Sequence, residues 1–111
     1  MSDCRCMKPP FHHQDYTSRA IGVDATKGRF AEVSLETCKS CGSVWLRYFV
    51  ENEAISGSGR WYRGLVPAEV AQAVTPESAL AALEKLEWRF AGGSHFESAG
   101  FRTTGPMAVD I

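Results

Sequence analysis

The four cysteines of this chain fall in two close pairs, Cys4-Arg5-Cys6 and Cys38-Lys39-Ser40-Cys41, and no other feature limits its folding so sharply. Two thiols separated by one or two residues can turn their sulfurs toward one point, so each pair is half of a chelate. The N-terminus, Met1-Ser2-Asp3-Cys4-Arg5-Cys6, lacks the apolar run of a secretory signal, and the longest strictly apolar stretch, Ala79-Leu80-Ala81-Ala82-Leu83, is far too short to span a membrane. No membrane association is expected. The expected compartment is a reducing cytoplasm, where closely spaced cysteines are metal ligands or redox centres more often than structural disulfides.

The second pair runs on into Gly42, and a C-x-x-C-G pentad between two strands suits a metal knuckle. Both sulfurs can face one ion, intervening amides can donate to the thiolates, and glycine permits the positive φ such a turn needs. At Cys38-Lys39-Ser40-Cys41-Gly42 the chain resembles the knuckle of zinc ribbons and rubredoxin-like proteins. That resemblance implies a metal held by thiolates. It departs from those families at Cys4-Arg5-Cys6, a tighter pair where they carry a second C-x-x-C. The expected ligand set is Cys4, Cys6, Cys38 and Cys41, with His12 or His13 as a substitute for Cys4. Zn2+ suits a closed tetrathiolate, and iron on four thiolates is the chemical alternative. Such a site staples the N-terminal arm to the body of the chain. A thiol–disulfide centre fits less well, because reactive C-x-x-C pairs sit at a helix N-terminus and here a strand follows.

The rest of the pattern describes one domain over residues 1–111. Residues 1–19, with Pro9-Pro10 and His12-His13, read as an extended, irregular arm tied by Cys4 and Cys6. Ile21-Gly22-Val23 suggests a short strand, and Asp24 to Gly28 a turn. Over 30–37, Ala31, Val33 and Leu35 alternate with Glu32, Ser34 and Glu36, the period of a half-buried strand. From Ser43 to Glu51, Val44, Leu46, Tyr48 and Val50 share one face while Trp45, Arg47 and Phe49 share the other, as in a central strand. Ser56-Gly57-Ser58-Gly59 predicts a turn, and Arg60 to Val66 a third strand, so 30–66 is expected to be an antiparallel meander. The run from Ser56 to Gly64 is also similar to segments of small bacterial proteins, a likeness that implies no activity. Ala68 to Val74 suggests a short helical turn. Thr75 as N-cap, Pro76 at the first position and the stripe Ala79, Leu83, Leu86, Phe90 predict one main helix over 76–90, stopped by Gly92-Gly93. Val109 and Ile111 could add an edge strand. The expected fold class is α+β: a zinc-stapled antiparallel sheet of three or four strands with one helix across a face.

Twelve Lys and Arg against thirteen Asp and Glu leave a net charge of −1, so no global field gathers phosphate or anionic lipid. Nucleic acid is a less favoured partner than protein. Trp45, Arg47, Arg60, Trp61 and Arg63 concentrate the residue types of recognition surfaces. If the helix covers the opposite face, Trp45, Arg47, Trp61 and Arg63 are left outward as a binding surface. His12-His13 with Asp15, and Ser94-His95, are the only hints of hydrolytic chemistry, and nothing in the sequence unites them. The reading is therefore a structural-zinc-binding module that engages a protein partner, with a nucleic-acid-binding zinc ribbon second and a small redox or hydrolytic enzyme third.

Overall fold

A computed structural model describes residues 4–28, 30–51, 58–94 and 98–107. Six strands form one antiparallel sheet in simple chain order: β1 Tyr16–Asp24, β2 Ala31–Cys38, β3 Val44–Val50, β4 Arg60–Leu65, β5 Arg89–Gly93 and β6 Ser98–Thr103. Two short helices, α1 Ala68–Ala73 and α2 Ala79–Glu84, fill the connection from β4 to β5. The fold is thus mainly β, which corrects the expected α+β class with three or four strands and one long helix.

Local chemistry explains the parts of the meander that sequence periodicity located. In β2, Ala31, Val33 and Leu35 are buried while Glu32 is exposed, and β3 lies between β2 and β4 with both faces covered, as its two-sided apolar pattern requires. The β1–β2 turn is closed by Asp24, whose Oδ1 accepts the Thr26 N–H at 3.0 Å and whose Oδ2 accepts the Tyr48 hydroxyl at 2.5 Å. Residues 16–19, expected in the irregular arm, belong to β1: Tyr16 pairs with Cys38 and Arg19 with Leu35. The predicted edge strand at Val109 and Ile111, and the Ser56-Gly57 half of the predicted turn, lie outside the described residues.

The predicted helix over 76–90 is the main correction. Its start lies later than predicted: Thr75 Oγ1 accepts the Ser78 N–H at 3.1 Å and Ser78 Oγ accepts the Thr75 N–H at 2.9 Å, which closes a turn over residues 75–78, and the helix begins only at Ala79 with Ser78 at its N-cap. Ala79 and Leu83 are fully buried and Leu86 packs beside them. The helix nevertheless ends at Glu84, because Arg63↔Phe90, Tyr62↔Ala91 and Trp61↔Gly92 pair as a sheet ladder. Phe90 therefore goes to the other side of the sheet from Leu83, where it joins an aromatic cluster. Tertiary pairing outweighs helix propensity here. Gly92 is not a helix stop: a Cβ there would lie 2.5 Å from Cζ2 of Trp61, so only glycine lets that ring lie against the strand.

The sheet is covered on both faces. On one, α1 and α2 enclose Val33, Leu35, Leu46, Tyr48, Val50 and Tyr62 in the larger core. On the other, the N-terminal arm lies over Tyr16, Cys38, Trp45 and Phe90, contributing Cys6, Met7 and Phe11. Phe11 meets Trp61 edge-on with centroids 5.7 Å apart and approaches Phe90 at 5.0 Å. The arm is thus a third layer. Among the described residues no helix is long and apolar enough to cross a membrane.

Candidate metal centre

Two local turns present the four sulfurs. Arg5–Met7 forms a single 3-10 turn in which the Met7 N–H donates to the Cys4 carbonyl at 3.0 Å, and this turn sets Cys4 and Cys6 on one side. Between β2 and β3 the Cys38 N–H donates to the Ser43 carbonyl at 2.8 Å and the Gly42 N–H to the Cys38 carbonyl at 2.9 Å. Gly42 has φ +78°, the left-handed conformation for which the sequence supplies glycine. The Lys39 N–H donates to the Asp15 carbonyl at 2.9 Å, which ties the knuckle to the end of the arm.

The four sulfurs all lie within 4.8 Å of one another. Cys4 Sγ is 3.5 Å from Cys38 Sγ, and Cys6 Sγ is 3.5 Å from Cys41 Sγ, so each close contact joins the arm to the knuckle. No disulfide joins them, since 3.5 Å is far beyond a disulfide bond of about 2.05 Å. A tetrahedral ion with Zn–S bonds of about 2.3 Å places its sulfurs about 3.8 Å apart, so the set fits a tetrathiolate with little adjustment. Four soft thiolates suit zinc or iron.

The surroundings treat the thiols unequally. Cys41 is exposed, and its pKa is lowered to about 6 by the Ser43 hydroxyl, 3.1 Å from its sulfur, and by the Ser43 backbone. Burial pushes the Cys6 thiol well up, and its neighbours Cys41 and Cys4 add to this. The indole N–H of Trp45 works the other way, favouring the Cys6 thiolate. That Nε1 is fully buried and has no conventional hydrogen-bond partner, which marks it as a donor kept for the sulfur site. A metal ion would resolve this crowding of protons, because metals bind the deprotonated form of each thiol.

The other predicted residues are placed differently from expectation. Arg47 and Arg63 stand directly opposite each other across β3 and β4, as do Phe49 and Trp61, so the side-by-side arrangement is present. It does not form an open patch, because the arm covers it: Trp45 is 0% exposed and Arg63 4%. Arg60 is also buried, and its alternation with Trp61 and Arg63 sends it to the helix side of the sheet. Arg47 and Trp61 remain half-buried. His12 and His13 are exposed on the arm and are not among the residues whose donors converge on the sulfur site. His95 lies outside the described residues.

Sequence reasoning missed Phe11, Tyr16 and Glu36, which surround Arg63. The guanidinium lies 4.7 Å from the Phe11 ring centroid, 4.5 Å from Tyr16 and 5.5 Å from Trp45, and Nη1 pairs with Glu36 Oε1. Alternation in β2 did place Glu36 on the same face as Cys38, but nothing in the arm announced where Phe11 would land. Desolvation raises the Tyr16 hydroxyl to about 12, against the pull of Arg63. Comparison with protein-family models, with curated proteins and with solved structures finds no match to this chain.

Proposed function

We propose that this chain is a structural-zinc-binding module in which one Zn2+, held by Cys4, Cys6, Cys38 and Cys41, locks the N-terminal arm across the aromatic face of the sheet. The supporting observation is the convergence of four cysteine sulfurs, from segments 34 residues apart, to within 4.8 Å. The metal supplies a crosslink and no reaction step, because four thiolates leave no coordination position open. Its binding energy, of order 10 kcal/mol in comparable sites, is large against the total stability of a small domain. The role we assign is binding. The Trp–Arg group that suggested a protein partner lies beneath the arm, so the recognition site moves from an open face to the cleft that the arm roofs. A nucleic-acid role loses two of its cations, Arg60 and Arg63, to burial.

The test is metal analysis of the purified, untagged protein together with each Cys→Ser variant. One zinc per chain is expected, lost in every variant; iron in its place would show as a coloured protein. Less than a tenth of an equivalent of any metal, with four thiols freely titratable under native conditions, would remove the proposal.

A further inference from the structure

Between the arm and the sheet lies a cleft of about 540 Å³ whose walls include Phe11, Tyr16, Glu36, Arg47, Trp61 and Arg63. That volume is within the range of small-molecule sites. Its polar floor is unusual. Arg47 and Arg63 are direct cross-strand partners on one face, an arrangement that places like charges side by side and disfavours the pairing. Glu36 is the one carboxylate in the lining, so with neutral histidines the cleft carries one surplus positive charge. Glu32 reaches Arg47 electrostatically from β2 but does not line the cleft.

The surplus is also visible atom by atom. Arg63 is 4% exposed, and only its Nη1 is engaged, by Glu36; Nε and Nη2 have no hydrogen-bond partner. A guanidinium presents five donors in a fixed plane, and Arg63, which lines the cleft, leaves two enclosed nitrogens short of an acceptor. Arg47 lines the same cleft from β3, where burial lowers its pKa despite the pull of Glu36 and Glu32. The walls are aromatic, with Phe11 and Trp61 edge-on to each other and Tyr16 stacked on Arg63.

We propose that this cleft binds a monoanionic carboxylate carried on a flat, apolar body, with Arg47 and Arg63 gripping the carboxylate and Phe11 and Trp61 flanking the body. One negative charge balances the surplus, and the planar fork of arginine matches a carboxylate in two parallel hydrogen bonds. The inference rests on the zinc-stapled arm, since the arm supplies Phe11 and the roof.

Naphthoate is a suitable probe and naphthamide its neutral counterpart, titrated into the full-length protein by calorimetry and by Trp fluorescence, with metal content measured on the same samples. Naphthoate is expected to bind at least about tenfold more tightly than naphthamide, the discrimination of a charge-assisted contact. Arg47→Gln, at a half-buried position, should weaken naphthoate by a similar factor while metal content and melting temperature hold; Arg63→Lys should weaken it with the charge retained. Equal binding of acid and amide, no binding of either to fully metallated protein, or an unchanged affinity in a folded Arg47→Gln variant would overturn the proposal. Inorganic phosphate binding as tightly as naphthoate would overturn the carboxylate assignment. A protein without metal that still binds naphthoate would instead refute the zinc-staple reading and leave the cleft standing.

Discussion

At Gly42 the chain makes a commitment that a single methyl group can test. Its φ of +78° is one that L-residues avoid, and a Cβ there would meet nothing within 4 Å. Gly42→Ala therefore isolates backbone strain from crowding. It should destabilise the metal-bound protein by about 1–2 kcal/mol in denaturant titration; an unchanged midpoint would mean the knuckle does not hold that conformation. Trp45 makes a second, independent case. Its ring fills the aromatic core while its buried N–H, without a hydrogen-bond partner, favours the Cys6 thiolate, so Trp45→Phe retains most of the packing and removes the donor. Zinc affinity, measured against a chromophoric chelator, should fall by about tenfold or more, the usual effect of deleting an outer-shell partner. An unaltered affinity would make the indole a packing residue alone.

Among the secondary-structure elements, β5 shows where local signals and long-range pairing disagree. The stripe Ala79, Leu83, Leu86 does face the larger core, so helical spacing was informative up to that point. Phe90 continues the same spacing yet lies on the opposite side of the sheet, because β4 offers it a ladder and the arm offers it aromatic neighbours. No window of sequence around residue 90 contains that information, since its partners are Arg63 and Phe11. The same limit hid the arm's own course. Gly92 distinguishes the two assignments: at a helix stop, alanine would carry backbone strain and leave Trp61 undisturbed, whereas in β5 its Cβ strikes the Trp61 ring. Gly92→Ala is expected to lower stability by about 1–3 kcal/mol and to perturb Trp fluorescence. A neutral result would contradict the close approach of strand and ring.

Over the whole molecule, the architecture is a sheet with two different coverings. The helical side is an apolar core, legible from alternation in β2 and β3, in which Arg60 and Arg89 are also buried. The arm side is aromatic, cationic and crossed by sulfur ligands; its cysteines were legible because their spacing is chemically restrictive, while its cover was not, because an irregular segment has no periodicity. The two layers should come apart separately. With a zinc chelator present, amides of residues 4–15 are expected to exchange rapidly while those of β2 to β4 stay protected. Equal protection of the arm with and without chelator would mean that Phe11 and its ring neighbours hold it unaided. The central claim is that four thiolates share one ion, and zinc-edge X-ray absorption on the purified protein tests it most directly. The account predicts a single shell of four sulfurs at about 2.3 Å. A shell containing nitrogen or oxygen donors, or a sample with no metal to measure, would contradict it.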